Sequence, residues 1–268
     1  MAKGISLHIG LNHVDPDHYE GWAGALSACE ADARDMKAIA VAQGFTVDGM
    51  LLSQQATAAA VMAAVKAAAK VLKAGDIFLI TYSGHGGQVR DTNGDEPDRM
   101  DETWVLFDRQ VVDDELYALW GRFKKGVRIV ALSDSCHSGT VVRAVPDFVE
   151  GGDRVRAMPR SVGKKVEAAH ARLYRAIQRE NPPTRTVSVK AAILLISGCM
   201  DNQYSMDGPR NGAFTGTLKR VWKSGAFVGD YRRFRDRIVA LMPATQTPNY
   251  FVIGAKNAVF EAQQPFTI

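Results

Sequence analysis

Short apolar runs alternate with stretches of helical periodicity along this chain, and the alternation is the main signal of its fold. Six segments have the apolar, β-branched character of strands: 5–9, 45–52, 76–82, 127–132, 191–196 and 250–253. The runs at 76–82, 127–132 and 191–196 are continuously apolar, as expected of strands buried on both faces. Strands that alternate with helices predict an α/β fold, with a mostly parallel sheet of about six strands.

Helical spacing of apolar residues predicts the elements that cover this sheet. Predicted helices lie at 27–43, from Thr57 to the residue before Gly75, and at 214–222 and 231–241. Thr57 has the side chain of a helix N-cap, and Gly44 is a typical C-terminal stop. The chain is therefore expected to form a three-layer α/β/α sandwich as a single domain spanning 1–268.

Two stretches interrupt the alternation. Residues 90–102 are acidic and contain Gly and Pro, which predicts a loop. Residues 145–188 are long, basic and punctuated by proline, with one predicted helix at 164–178. A connection of that length inside a compact domain is functional or mobile. We therefore divide the domain into a larger portion (1–144), a basic insert (145–188) and a smaller portion (189–268).

Composition excludes several functional classes. The 268 residues are 46% hydrophobic and 23% charged, as in ordinary globular proteins. The net charge of +4 is spread out and lacks interleaved aromatic residues, which argues against nucleic-acid binding. No apolar run approaches the roughly 20 residues needed to span a bilayer. Three cysteines are an odd number, which disfavours a disulfide framework and indicates a reducing, cytoplasmic setting. We expect a monomer.

The chemistry-bearing residues follow two of the buried strands directly. Tyr82-Ser83-Gly84-His85-Gly86 follows the run at 76–82, and Asp134-Ser135-Cys136-His137-Ser138-Gly139 follows the run at 127–132. Ligands of open parallel sheets bind beyond the carboxyl ends of the strands. A lone Cys or His is usually structural, but both in Gly-flanked polar turns at this edge indicate a site.

A thiol and an imidazole at one edge predict nucleophilic catalysis. A thiol attacks as the thiolate, so Cys136 needs a base such as His85, which then returns the proton to the leaving amine. The backbone N–H groups of Cys136 and Gly86 are free to stabilise an oxyanion. Two other classes of protein are less consistent with the sequence. A nucleotide-binding module needs a phosphate-cradling loop, which is missing from the sequence. A catalytically silent scaffold that binds a protein partner is disfavoured because both Cys136 and His85 are intact.

At these residues the sequence resembles the metacaspases, an arginine/lysine-specific branch of the caspase-like clan of cysteine peptidases. The resemblance includes the YSGHG and DSCHSG turns, the segment 28–32, and the stretches 197–201 and 212–215, and its compact build suits a prokaryotic homologue. It implies the caspase fold and a thiol protease that cleaves proteins after Arg or Lys. It also implies a pocket for the P1 side chain, lined by Cys29, Asp32, Ser83 and Asp134. Carboxylates in a cleft suit a guanidinium or ammonium group.

The resemblance raises the question of calcium, although the proposed reaction needs no cofactor. Asp91, Asn93, Asp95 and Glu102 have EF-hand spacing, but Glu96 replaces the required glycine. Many metacaspases bind Ca²⁺ through other aspartates, which Asp101, Asp113 and Asp114 match. A further expected aspartate is missing, since Val142, Arg143 and Ala144 occupy its place.

The basic insert lies where activating cleavage occurs in the caspase-like clan. We expect cleavage at or near 152–165, by the protein itself or by an upstream protease. The candidate sites are Arg154, Arg156, Arg160, Lys164 and Lys165. The alternative is a structural helix over the sheet, for which Ala169, Leu173 and Ile177 have suitable spacing.

Overall fold

A twisted, mostly parallel sheet of six strands forms the centre of the molecule. The computed structural model describes residues 1–136, 155–200 and 203–268. The strands of this sheet and of a second, smaller sheet are β1 (Gly4–Gly10), β2 (Thr46–Leu52), β3 (Ile77–Ser83), β4 (Gly86–Arg90), β5 (Met100–Val105), β6 (Gln110–Val112), β7 (Arg128–Asp134), β8 (Ala192–Ser197) and β9 (Asn249–Gly254). The main sheet has the order β2-β1-β3-β7-β8-β9, in which only β9 is antiparallel to its neighbour. β4, β5 and β6 form a small antiparallel sheet of their own.

Helices cover both faces of the main sheet. They are α1 (Cys29–Ala42), α2 (Ala58–Val71), α3 (Asp113–Trp120), α4 (Arg160–Ala169), α5 (Ala171–Glu180), α6 (Ala213–Trp222), α7 (Tyr231–Val239) and α8 (Ala258–Ala262). Residues of α2, α3, α4 and α5 pack into the core on one face. Residues of α1, α6, α7 and α8 pack into the core on the other. The predicted three-layer α/β/α fold is confirmed. Among the described residues, no helix is both long and apolar enough to cross a membrane.

The six predicted strands are all present, and the side chain of Thr57 caps α2 by accepting from the Ala60 N–H. The prediction that 90–102 is a loop was wrong at its ends, because Met100–Val105 is a strand paired with β4. Polar residues on a small hairpin hid this pairing from an apolar-run analysis. The single helix predicted at 164–178 is two helices that meet at His170.

The order of the main sheet determines which loops meet. β3 and β7 are adjacent and in register, with Ser83 opposite Asp134 at their last residues. The turns that follow, containing His85 and Cys136, therefore leave the sheet side by side. β8 lies next to β7, with Ser197 opposite Ser133, so the segment after β8 joins the same edge.

Burial of His8 in the central strand β1 predicts a loss of stability in acid. Burial lowers the pKa of His8 to about 3, and Lys37 contributes to the same direction. The unfolded chain therefore binds the proton more readily, and the penalty begins as the pH falls below 6.5. Half-buried His18 and buried His85, with pKa values of about 4, add to it. At pH 5 the His8 contribution alone is about 2 kcal/mol.

We expect His8→Asn to remove that share, so that its unfolding free energy falls less between pH 7 and pH 5 than that of the wild type. Urea unfolding followed at both pH values measures the difference. Equal pH dependence in the two proteins would contradict the assignment.

Candidate active site

Two turns at the carboxyl edge of the sheet form the floor of the site. Gly86 and Cys136 approach so closely that a Cβ on Gly86 would lie 1.7 Å from the Cys136 carbonyl oxygen. No side chain fits there, so glycine is required at Gly86 for the two turns to meet. The contact places the N–H groups of both residues in one small region.

A segment of the basic insert, residues 155–158, lies extended across these turns. The Arg156 carbonyl oxygen accepts from the N–H of Cys136 at 3.1 Å and from the N–H of Gly86 at 3.0 Å. On either side, the Arg156 N–H donates to the Ser205 carbonyl at 2.9 Å, and the Met158 N–H donates to the Gly86 carbonyl at 2.8 Å. The segment is therefore held by its backbone, in the way that an extended peptide is held in a cleft.

The Arg156 side chain fills a pocket beneath this segment and has no exposed surface. Its guanidinium forms ion pairs with Asp32 at 2.7 Å, Asp207 at 2.9 Å and Asp134 at 3.0 Å. It also donates to the Ser83 hydroxyl oxygen at 2.8 Å. Burial raises the pKa of the Cys29 thiol, and the nearby charge of Arg156 opposes that shift. The structure thus brings together the four residues predicted for a P1 pocket and adds Asp207.

Neighbouring groups hold the carboxylates of this pocket in place. Asp32 accepts from the N–H of Gly212 and from the side-chain amide of Asn211. Asp134 accepts from the Thr215 N–H and hydroxyl and from the Ser205 hydroxyl. Carboxylates oriented by several donors need no rearrangement to bind a cation, so the pocket is pre-organised.

Three carboxylates around one guanidinium create opposing electrostatic effects. Burial raises the pKa of Asp32, and the nearby charge of Asp134 raises it further against the opposing effect of Arg156. Burial favours the same direction at Asp207, but the Arg156 guanidinium and the Ser27 donors outweigh it and lower the pKa. Burial favours a lower pKa for Arg156, yet the surrounding carboxylates raise that pKa well above its ordinary value. The excess of acidic groups makes the pocket strongly selective for a cation.

The His85 ring is buried and is oriented by a backbone carbonyl. Its Nε2 lies 3.0 Å from the Gly24 carbonyl oxygen, and Trp22 packs against the ring with centroids 4.7 Å apart. Donation by Nε2 to this carbonyl leaves Nδ1 as the basic nitrogen. Within the described ranges, Nδ1 has no hydrogen-bond partner. Burial lowers the pKa of His85 to about 4, and the Ala157 backbone lies near enough to oppose that shift.

The Cys136 thiol is buried beneath the extended segment and faces Ser205. The Ser205 N–H donates to its sulfur at 2.6 Å. Burial raises the pKa of Cys136 well above its ordinary value, and the neighbouring Cys199 thiol raises it further. Among the described residues, no hydrogen bond joins this sulfur to His85. With the segment in place, this sulfur therefore contacts the backbone of Ser205.

An acidic cluster lies at the far end of the β4–β5 hairpin. Oxygens of Asp91, Asp95 and Asp101 lie within 4.8 Å of one another, as do those of Glu96, Glu102 and Asp113. One carboxylate oxygen on each of Asp101, Asp113 and Asp114 is buried without a partner in the described structure. Burial and the surrounding negative charges raise the pKa values of these three residues to about 9, 8 and 7.

This cluster has the donor set that a hard divalent cation prefers, since all its available ligand atoms are oxygens. It is no EF-hand, because strands rather than a helix pair flank the loop. Asp91 instead accepts from the N–H groups of Asn93, Gly94 and Glu96, and so shapes the turn. The stretch 142–144, in which an expected aspartate is missing, lies outside the described residues.

The candidate cleavage sites fall into three environments. Arg154 lies outside the described residues. Arg160, Lys164 and Lys165 are exposed on α4. Arg156, by contrast, is buried, and its guanidinium is paired with the pocket carboxylates.

Sequence reasoning missed three residues of the site. Asp207 lies between the recognised stretches 197–201 and 212–215, and an aspartate in that interval was the available signal. Gly24 acts through its carbonyl and Ser205 mainly through backbone groups. Backbone roles of this kind have no signature in residue type.

Comparison with known proteins identifies the family of this chain. The caspase domain model matches residues 7–258. The chain is 30% identical to metacaspase-1 of Mycosarcoma maydis over 84% of its length, and 30% identical to metacaspase-1A of Aspergillus fumigatus over 87%. It spans about three fifths of those relatives, 62% of each.

Two solved structures share the fold. Protein GSU0716 of Geobacter sulfurreducens is 55% identical, with a TM-score of 0.91 over 99% of both chains. Caspase-1 from Spodoptera frugiperda is 11% identical, with a TM-score of 0.54 over 94% of this chain and 86% of that one. The architecture is thus that of a caspase-like α/β sandwich. The chain belongs to the caspase domain family, and metacaspases are among its relatives.

Proposed function

We propose that this protein is a cysteine endopeptidase that cleaves protein substrates after Arg, and less readily after Lys. The observation that supports it is Arg156, whose side chain fills the acidic pocket while its carbonyl oxygen accepts from the N–H groups of Cys136 and Gly86. Those two contacts are what a protease must make to a P1 residue: one selects the side chain and the other polarises the scissile carbonyl.

The proposed catalytic steps use Cys136, His85 and the two N–H groups. Once the thiol turns from Ser205, Nδ1 of His85 accepts its proton, and the thiolate attacks the carbonyl carbon of the P1 residue. The N–H groups of Cys136 and Gly86 stabilise the oxyanion, a role worth about 2.7–4 kcal/mol per donor in other proteases. His85 then protonates the leaving nitrogen, and water hydrolyses the thioester on Cys136. The Gly24 carbonyl orients the imidazole throughout.

The preference for Arg rests on pocket geometry. The guanidinium contacts Asp32, Asp134 and Asp207 from different directions, which a planar group with five N–H donors can satisfy. Lys supplies a compact charge with three donors and fits fewer of these partners. A P1 Asp would add a fourth carboxylate to a buried acidic site.

In this state a segment of the protein itself occupies the active site as a substrate would, and blocks it. The segment 155–158 covers Cys136, so external peptides are excluded until it is cut or displaced. Arg156–Ala157 is the bond next to the oxyanion donors, because the Arg156 carbonyl oxygen accepts from the N–H groups of Cys136 and Gly86. We infer that activation includes cleavage of this bond, by the protein itself or by an upstream protease.

Calcium is a candidate activator that would bind the acidic cluster. Asp101, Asp113 and Asp114 have unpartnered buried oxygens for a divalent cation, with Asp91 and Asp95 adjacent. A bound cation would supply positive charge that neutralises the repulsion among these carboxylates. Strand β4 begins at Gly86, so the cluster and an oxyanion donor belong to one hairpin. A shift of that hairpin is a direct route from the cation to the catalytic turn.

Fluorogenic peptides that differ only at P1 test the proposed specificity. We expect kcat/KM to follow Arg above Lys, with Asp lower than Arg by about 30-fold to 5,000-fold, because a buried charge pair contributes roughly 2–5 kcal/mol. Cys136→Ala should abolish hydrolysis. Activity that survives this substitution, or a preference for Asp, would refute the proposal.

Gly212→Ala tests the pocket itself. A Cβ at Gly212 would lie 2.5 Å from the Arg156 guanidinium, which ion pairs prevent from moving away. We expect kcat/KM for Arg peptides to fall by about fivefold to 150-fold, since overpacking a tight site costs roughly 1–3 kcal/mol. Gly216→Ala, four residues further along α6 with its nearest contact at 3.4 Å, is the matched control and should retain activity.

Self-processing should generate a fragment that begins at Ala157. N-terminal sequencing of incubated wild-type protein reads this end directly, and Cys136→Ala should remain intact. Arg156→Ala should lose the Ala157 end, whereas the control Arg160→Ala, on exposed α4, should retain it. A first cut elsewhere in 152–165 would show that Arg156 blocks the pocket without being the cleaved residue.

Calcium binding should appear in stability as well as in activity. At pH 8, Ca²⁺ at 100 times its dissociation constant should stabilise the fold by about 2.7 kcal/mol. Asp101→Asn should reduce this gain, yet raise the melting temperature without Ca²⁺, because it removes one member of a repulsive buried cluster. Exposed Asp98→Asn is the control. An unchanged calcium response in Asp101→Asn would argue against this site.

A further inference from the structure

Cys199 is a second thiol at the catalytic edge that the proposed mechanism does not use. It lies two residues beyond β8, as Cys136 lies two residues beyond β7, and these strands are adjacent and parallel. The last pair in register is Ser133 and Ser197, so both cysteines lie in the turns that follow these strands, at the same edge of the sheet.

The two thiols are close neighbours. The Cys199 thiol donates to the carbonyl oxygen of Ser135, the residue before Cys136, at 3.6 Å. Burial raises the pKa of Cys136, and the neighbouring Cys199 thiol raises it further. Together with Val155 and Ala157 they form a small buried cluster separate from the two main cores. All three cysteines of the chain are free thiols, and Cys29 belongs to the P1 pocket.

We propose that Cys136 and Cys199 form a reversible oxidation site, in which Cys199 resolves the sulfenic acid formed on Cys136 by a hydroperoxide. This inference rests on the proposed function to the extent that Cys136 must become a thiolate. The Cys136 thiolate attacks the peroxide, the O–O bond breaks, and water or an alcohol leaves. The Cys199 thiol then displaces the sulfenic hydroxyl as water, giving a disulfide. Two thiols lose two protons and two electrons, and one peroxide takes them up.

The covering segment makes this site dependent on the state of the protein. Cys136 and Cys199 are both buried under residues of the insert, and burial holds the pKa of Cys136 high. A protonated, shielded thiol reacts slowly with peroxide. Release of the segment 155–158 exposes the sulfur that catalysis needs, so the active form is the form that oxidises. The disulfide then protects Cys136 from further, irreversible oxidation.

Mass spectrometry of peroxide-treated, full-length protein tests the site. We expect the intact mass to fall by two hydrogens and digestion without reductant to yield a peptide pair linked through Cys136 and Cys199. Cys199→Ser should lose the linked pair and instead gain two oxygens on Cys136. Cys29→Ser is the control for the cross-link alone and should retain it. Sulfinic acid on wild-type Cys136 with no linked peptides, in either single-chain or cleaved protein, would overturn the proposal.

Peptidase activity supplies the second measurement. Dithiothreitol should restore most activity to peroxide-treated wild-type protein and little to Cys199→Ser or Cys199→Ala. Single-chain protein should form the disulfide at least about tenfold more slowly than cleaved protein, because burial suppresses the thiolate. Equal rates would overturn the shielding. A linked pair in protein without peptidase activity would support the oxidation site while refuting the proposed function, so the two fail separately.

Discussion

The ion pairs between Arg156 and the carboxylates of Asp32, Asp134 and Asp207 determine the state of this molecule. Three acidic groups buried without a cation would repel one another and lose their solvation, and removal of one partner of a buried pair typically costs about 3–5 kcal/mol. The guanidinium offsets that cost only when the insert enters the cleft. The charge arrangement that suits the pocket to substrate is therefore also the one that closes it.

The main sheet fixes the relative positions of the groups at the site. Strands β3 and β7 are buried, adjacent and in register up to Ser83 and Asp134, so a difference of one residue in either turn would separate the Cys136 and Gly86 amides. Ser83 and Asp134 of the pocket end these strands, and the oxyanion donors follow them directly, whereas Asp32 lies on α1. The groups that change between states, by contrast, belong to the insert and to the thiol itself.

Much of this organisation can be predicted from the sequence, because it is built on buried strands. Continuous apolar runs identify β3 and β7, and polar turns that follow such runs identify His85 and Cys136. The β4–β5 hairpin was missed, since short strands with polar faces resemble a loop. The location of Arg156 also escaped prediction: basic residues are normally exposed, and only the three-dimensional convergence of distant carboxylates explains a fully buried arginine.

The short path between nucleophile and blocking residue has a kinetic consequence. Cys136 and Arg156 are only 20 positions apart in one chain, so their encounter is unimolecular and independent of protein concentration. A tether of that length corresponds to an effective concentration on the order of millimolar. After a cut at Arg156, the new C-terminus remains attached to the catalytic portion at this effective concentration. Under the proposed function, incoming peptides would therefore compete with a tethered product.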